Sequence, residues 1–187
     1  MMKHIACAVL IASLAACSSA PALRLDMSQP QSTLKLRAAV SSAIIRTVSL
    51  PTYAAAEELA YETPDGLITT ADTVLWADDP ARAITLTLAR HMDGILSADV
   101  GPEPWPFVGL PDVAIDVRIT RMVAGADGIF DLEGQYYLGG DGIDYPNRTK
   151  AFAINKALPV AGPAGIASAQ ASAILTLSED IARHLAR

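Results

Sequence analysis

The sequence is poor in the residues that most often perform chemistry. Among its 187 residues are two cysteines and three histidines, and aromatic residues make up 5%. No two histidines have the spacing of metal ligands, and Cys7 lies in an apolar N-terminal run that we expect to be removed. No G-x-S-x-G turn for a serine nucleophile is present. We therefore expect neither a disulfide nor a zinc site, and a protein that is not an enzyme and holds no metal or cofactor.

The first 16 residues have the order of a secretory signal. Lys3 precedes an apolar run over residues 5–14, which is shorter than the roughly 20 residues of a transmembrane helix. Leu14-Ala15-Ala16-Cys17 then matches the lipobox, in which small residues admit the chain to the signal peptidase and a thiol takes the diacylglycerol. We expect residues 1–16 to be a removed signal peptide and Cys17 to be lipidated. The alternative is an ordinary secretory signal with a cysteine there by chance.

Acidic residues outnumber basic ones. The net charge is −6, and loss of Lys3 with the signal makes it −7. Such a chain repels nucleic acid phosphates and anionic lipid headgroups, so we expect no nucleic acid partner. Membrane attachment then has to come from acyl chains such as palmitate on Cys17, and two or more chains hold stably.

The rest of the chain is predicted to hold a tether and one domain. Residues 17–42 are rich in Ser, Ala, Pro and Gln, so we expect a lipidated N-terminus and a partly flexible tether, with one short strand where Leu23, Leu25 and Met27 alternate with polar residues. Residues 43–187 are expected to form the domain, which is large enough for its own core.

Period-two patterns dominate the domain. Apolar residues alternate through 113–120 and 130–138 on either side of the turn Gly125–Gly128, which predicts a hairpin over about 113–138. Shorter strands are predicted at 44–50, 67–70, 73–76 and 150–155, and a Gly/Pro-rich loop at 101–111. Asp79-Pro80 starts a helix over about 80–96, and a second amphipathic helix covers 165–186. We predict an α+β fold, a mixed sheet of about five strands with two helices packed on one face.

Few other residues suggest a site. His91 and His184 lie near the ends of predicted helices, where surface or dipole-facing roles are usual. Gly139–Gly142 lacks the Lys-Ser/Thr of a phosphate loop, so we predict a turn. Four acids lack calcium-loop spacing and are interpreted as solvated turn residues: Asp127, Asp131, Asp141 and Asp144. Trp76 is expected in the core, whereas Trp105, among prolines, is expected either to pack or to contact a partner.

The order of these features resembles the PqiC-like ABC-type transport auxiliary lipoprotein components. The resemblance runs from Cys17 to about Leu185. It is carried by the lipobox cysteine, Val48-Ser49-Leu50-Pro51, Trp76 before Asp79-Pro80, Pro104-Trp105, Ile115-Asp116-Val117-Arg118-Ile119, the strand Phe130 to Leu138, and Leu177-Ser178-Glu179-Asp180-Ile181-Ala182.

The resemblance implies an accessory lipoprotein of an ABC/MCE-type lipid transport system that supports membrane integrity. Its partner would be a PqiB-like MCE-domain protein, met at the outer membrane and facing the periplasm, with a possible homo-oligomeric ring. Ser18, instead of the aspartate that favours inner-membrane retention, agrees with the outer membrane. A lipoprotein that itself binds a lipid or another ligand is the main alternative, and an envelope hydrolase is the weakest.

Overall fold

The structure is a computed structural model that describes residues 22–27, 29–142 and 145–186. The predicted signal peptide and Cys17 lie outside these ranges. The strands are β1 (Leu23–Leu25), β2 (Ser42–Ile45), β3 (Glu58–Glu62), β4 (Ile68–Trp76), β5 (Asp99–Pro102), β6 (Val113–Ala124), β7 (Ile129–Gly140) and β8 (Arg148–Ala157). The helices are α1 (Thr52–Ala55), α2 (Pro80–Ile95) and α3 (Pro163–Leu185).

The longest pairing in the sheet is the β6–β7 hairpin. Val113, Ile115 and Val117 are completely buried, while Arg118 points to the exposed side of β6. On its other edge β7 pairs antiparallel with β8. The hairpin predicted over 113–138 and the third strand predicted at 150–155 are therefore confirmed, because period-two alternation matches a sheet that has one buried face.

The second edge of β6 is shared by two strands in succession. β2 pairs in parallel with its beginning, from Ala43 and Val113 to Ile45 and Ile115, and β3 pairs in parallel with its end at Ala124. β5 lies outside β2, while β4 and then β1 lie outside β3. Within the described residues the sheet thus has eight strands, so the α+β prediction is confirmed but the count of about five is too low.

The two ends of β6 serve below as reference points, named the Val113 end and the Ala124 end. β1 is parallel to β4, β4 is antiparallel to β3, and β3 is parallel to β6. β1 therefore runs opposite to β6, and the chain that enters it at Leu23 comes from the Ala124 end. β5 pairs with β2, and β2 pairs with Val113 to Ile115 of β6, so this register places the connection from β5 back to β6 at the Val113 end.

The helices α2 and α3 pack against each other and cover one face of the sheet, as predicted. At the start of α2 the Asp79 carboxylate accepts a hydrogen bond from the Arg82 N–H at 2.7 Å, and Pro80 occupies the first turn. Ile84, Leu88 and Met92 of α2 are completely buried. The buried stripe of α3 contains Ile174, Leu177, Ile181 and Leu185. α1, a single turn, was not predicted.

Residues 29–41, within the predicted tether, lie against the domain without regular secondary structure apart from one bridge between Leu36 and Leu96. Leu36 exchanges backbone hydrogen bonds with the end of α2, donating to Ile95 at 2.8 Å and accepting from Ser97 at 3.0 Å. The Ser32 hydroxyl donates to Glu179 of α3 at 2.6 Å, and this bond is the main reason that the Glu179 pKa is lowered. These contacts fix the path of the chain that leads into β2. The boundary between tether and domain at residue 42 stays a prediction.

His91 is buried between the helices and this segment, 5% exposed. Its Nδ1 lies 3.3 Å from the Ser178 hydroxyl of α3. Burial lowers the pKa of His91, and the Pro30 carbonyl opposes part of that shift. The predicted surface or dipole-facing role is therefore wrong for His91, because α3 and residues 29–41 enclose the end of α2.

Candidate functional site

Trp105, for which packing or a partner contact was predicted, lies in the loop from β5 to β6 at the Val113 end. Its ring packs over Gly101, where an added Cβ would lie 3.2 Å from the indole and 2.8 Å from Pro106. Phe107 meets the indole edge to face, with centroids 4.9 Å apart at 71°. The indole Nε1 is buried and has no hydrogen-bond partner among the described residues. Trp105 is thus the packing centre of the loop.

The tip of the same loop is apolar and exposed to water. Phe107 is 51%, Val108 105% and Leu110 75% exposed. We name residues 105–110 the apolar loop. Adjacent exposed apolar side chains of this size, set beside polar neighbours, mark an interaction surface more often than a fold requirement.

The base of the apolar loop is fixed by charged groups. The Glu103 carboxylate accepts hydrogen bonds from the Thr47 N–H at 3.0 Å and from Arg46 Nη1 at 3.1 Å. The Thr47 bond, followed by the Arg46 bond, lowers the pKa of Glu103. Arg46 also pairs with Asp141 at 3.2 Å. On the other side of the loop the Asp112 N–H donates to the Ser42 hydroxyl at 3.0 Å, so Phe107 and Val108 are presented from a base that is held at both ends.

A second group of exposed apolar side chains lies at the Ala124 end. Leu67 and Ile68, at the turn between β3 and β4, are 67% and 40% exposed, and Val160, before α3, is 57% exposed. Leu23, where the chain enters β1, is 67% exposed. The exposed apolar residues are thus concentrated at opposite ends of β6.

A polar cleft of about 710 Å³ crosses the outer face of the sheet, lined in part by Arg46, Asp116, Tyr137 and Arg148. Arg46 is paired as described, and the Arg148 guanidinium donates to the carbonyl oxygen of His184 at 3.1 Å. The arginines that line this cleft already have protein partners, which makes it a weak candidate for binding an anion.

The other residues considered in the sequence have structural roles. Trp76 is 8% exposed in the core, as predicted. The Tyr136 hydroxyl donates to Asp180 at 3.2 Å and lies 3.1 Å from His184 Nδ1, which ties α3 to the sheet. In the described ranges no group of three or more His, Cys, Asp and Glu side chains has the geometry of a metal site. No helix in those ranges combines the length and apolar character needed to span a bilayer.

A family model described as the ABC-type transport auxiliary lipoprotein component matches residues 24–182. The chain belongs to this family. The match begins in β1 and ends within α3, so it includes the apolar loop and both ends of β6. The resemblance seen in the sequence is therefore confirmed, and the chain is an auxiliary component of a transport system.

Solved structures support the fold of this transport auxiliary lipoprotein. One, titled as the crystal structure of an uncharacterized protein, has a TM-score of 0.68 at 20% identity and covers 87% of this chain and 98% of its own. Protein XCC0632 from Xanthomonas campestris has a TM-score of 0.69 at 11% identity and covers 86% and 94%. A search of curated proteins found no match. At these identities the structures establish the fold alone.

Sequence reasoning identified Trp105 but missed the exposed tip beside it. Pro104, Pro106 and Pro111 predicted a loop, yet the apolar residues between them carried no periodicity that would have shown their exposure. The apolar residues at the Ala124 end were equally hidden, because they belong to three separate connections. The signal that was available is the occurrence of Phe107, Val108 and Leu110 in a segment unable to form a central strand.

Proposed function

We propose that this auxiliary lipoprotein is a non-catalytic adaptor, anchored in the outer membrane by acyl groups on Cys17. Its apolar loop docks a periplasmic MCE-domain partner, a PqiB-like protein of an ABC-type lipid transport system. In this way it would support membrane integrity. One observation carries the proposal: the apolar loop and the entry of the chain lie at opposite ends of β6.

The distance between the ends suits an adaptor. β6 spans 12 residues, which in a strand correspond to roughly 35 Å. With the entry of the chain directed to a membrane, the apolar loop points away from it into the periplasm. A partner that extends across the periplasm then meets the apolar loop first.

Anchoring through Cys17 keeps the Ala124 end close to the bilayer. Five residues lie between Cys17 and Leu23, so covalent geometry limits the separation of these two residues to about 20 Å. The net charge of −7 after cleavage offers no electrostatic attachment to anionic lipids, which leaves the acyl chains as the source of binding.

The proposal is tested by co-expressing a PqiB-like MCE-domain protein with this lipoprotein and co-purifying the two from membranes. The double variant Phe107→Asp with Val108→Asp places two charges on the apolar loop. We expect capture of the partner to fall at least about tenfold, since charges in the core of an interface stay desolvated and unpaired. Leu67→Asp at the Ala124 end is the matched control and should retain capture.

Anchoring is tested separately by fractionation. Cys17→Ala should move the protein from the outer-membrane fraction to the soluble periplasm and sensitise cells to detergent. Equal capture by the double variant and the wild type would refute docking through the apolar loop. Normal membrane localisation of Cys17→Ala would refute the anchor.

A second candidate function is that the domain itself carries a lipid. The observation that favours it is an apolar groove at the Ala124 end.

A further inference from the structure

The groove is an open cavity of about 600 Å³ at the Ala124 end. The edge of β3 and β4, the turn between β6 and β7, and the first turn of α3 surround it. Its apolar lining includes Leu59, Tyr61, Ala71, Leu158, Pro163 and Ile166. This volume lies within the range of about 300–1,000 Å³ that is usual for small-molecule sites.

The chemistry of the groove favours an uncharged, apolar occupant. Glu62 is the one charged residue among those that line it, and its carboxylate accepts a hydrogen bond from Arg121 Nη2 at 2.7 Å. Arg121 is also bound to Asp131 at 3.1 Å. With this charge neutralised by neighbours, a polar ligand gains little by entering, whereas each buried methylene group of a hydrocarbon gains about 0.8 kcal/mol.

The rim of the groove is also apolar. Leu67 and Ile68, in the chain that follows Glu62 of the lining, and Val160, beside Ala161 of the lining, are exposed to water in two of the segments around it. A concave apolar site inside an apolar exposed rim suits contact with a bilayer, where the rim is covered at the same time as the site is filled.

The path of the chain places this opening near the proposed anchor. Leu23 pairs with Val74, three residues along β4 from Ala71, so strand geometry sets Leu23 roughly 11 Å from the groove wall. Cys17 lies within about 20 Å of Leu23 along the chain. An acylated Cys17 therefore keeps the groove wall within about 30 Å of the bilayer surface, which is near enough for the rim of the groove to reach the lipid headgroups.

We infer that the groove binds one acyl chain of a phospholipid from the membrane to which the protein is anchored. The inference rests on the proposed function for its source of lipid. The acyl chains of Cys17 are the less suitable occupant, because stable attachment requires at least two chains in the bilayer and each chain withdrawn weakens it. The docked lipid lies at the end of the molecule opposite the apolar loop.

The test uses full-length protein reconstituted in phosphatidylethanolamine liposomes, doped with a phosphatidylethanolamine that carries a diazirine in one acyl chain. After illumination, labelled peptides are mapped by mass spectrometry. We expect label in residues 59–71 and 158–166, which line the groove, and none in the apolar loop. Because the diazirine is on added lipid alone, chains attached to Cys17 do not produce label.

Ala71→Trp fills the groove from β4 and should reduce this labelling about tenfold, a change that corresponds to about 1.4 kcal/mol. Thr70→Trp, the exposed neighbour on the same strand, is the matched control and should label like the wild type. Ala161→Trp on the exposed rim repeats the test if Ala71→Trp does not fold.

Equal labelling of Ala71→Trp and the wild type, or label spread evenly over both ends, would overturn the inference. The intact mass of the same sample reports acylation of Cys17. An acylated protein with an unlabelled groove refutes the inference and leaves the proposed anchor standing. An unmodified Cys17 refutes the anchor, and the groove is then tested in detergent micelles doped with the same lipid.

Discussion

The two ends of β6 both expose apolar side chains, but they do so with opposite shapes. At the Val113 end, Phe107 and Val108 project from a loop wrapped around Trp105. At the Ala124 end, Leu67 and Val160 border a groove whose walls include Ala71 and Gly125. A projecting loop is suited to insert into a partner, whereas a groove is suited to receive part of a ligand.

The ion pairs at the two ends also differ, because their side chains are exposed to water to different extents. At the Ala124 end, the side chains of Arg121, Glu62 and Asp131 are 34%, 24% and 21% exposed. At the Val113 end, Arg46 and Glu103 are 40% and 36% exposed. The groove is therefore braced by the more buried ion pairs, and the apolar loop by pairs nearer to water. A groove that binds a ligand has to be preformed, so the more buried ion pairs fit the lipid-binding role proposed for the Ala124 end. The more exposed pairs fit the docking role proposed for the Val113 end.

The largest expected effect is at the Val113 end. Gly101→Val places methyl groups where Pro106 and Trp105 now pack. We expect the free energy of unfolding to fall by about 2 kcal/mol, measured by urea denaturation, because overpacking of this kind typically costs about 1–3 kcal/mol. Gly94→Ala, a helix position with open space around it, is the matched control and should not destabilise. An unchanged Gly101→Val would mean that Trp105 does not organise the loop.

The ion pairs rank next. Arg121→Met leaves Glu62 and Asp131 partly buried without their shared cation, and we expect a loss of about 1–2 kcal/mol. Arg46→Met removes two ion pairs nearer to water, with Glu103 and Asp141, and we expect a loss of about 0.5 kcal/mol. Urea denaturation of both variants at moderate salt measures the difference. If Arg46→Met proves the more destabilising, the contrast drawn between the two ends is wrong.

A smaller effect should appear on acidification. The pKa of Glu103 is lowered in the folded protein, so its contribution to stability is present above the pKa of the unfolded chain and is lost as the pH falls through the lower folded value. We expect the stability advantage of wild type over Glu103→Gln to be larger at about pH 7 than at about pH 3, which lies below the ordinary Glu pKa. Urea denaturation at both pH values checks this, and an advantage that is undiminished in acid would argue against the charged carboxylate.

The smallest effects should come from the exposed apolar residues themselves. Val108→Ser and Leu67→Ser remove side chains that contribute little to the core, and we expect unfolding free energies within about 0.5 kcal/mol of the wild type. A thermal melt of each variant suffices. A large loss of unfolding free energy at either position would show that the side chain stabilises the fold, which argues against a role in an interaction.

Much of the fold could be predicted because its largest elements have one buried face. Alternation in β6 and the Asp79-Pro80 start of α2 gave their positions within a few residues. Two short strands, β3 and β5, were missed for definite reasons. In β3 both Leu59 and Ala60 are buried where the register shifts against β4, which breaks the period of two. In β5 the Gly101-Pro102 sequence is tolerated because the strand lies at the edge of the sheet.

In β4 the broken period of two had the opposite effect, because it divided the prediction of a single strand. Residues 67–70 and 73–76 were predicted as two short strands, and the structure has one continuous strand from Ile68 to Trp76. A shift of register changes which residues face the core without ending the strand. The candidate surfaces were less predictable than the fold, because a groove or an exposed tip depends on segments that are distant in the sequence.

The way β1 is held has a mechanical consequence. Under the proposed function the protein is fixed to a membrane at Cys17 and loaded by a partner at the apolar loop, so tension between the two would enter the fold at Leu23. β1 has three residues paired with β4 and one exposed ion pair, Arg24 with Glu57 at 3.0 Å. It should therefore yield before the longer strands, extending the link to the bilayer while the body stays intact. Pulling between residues 17 and 108 with optical tweezers should show this release as a first short step, and a single all-or-none rupture would exclude it.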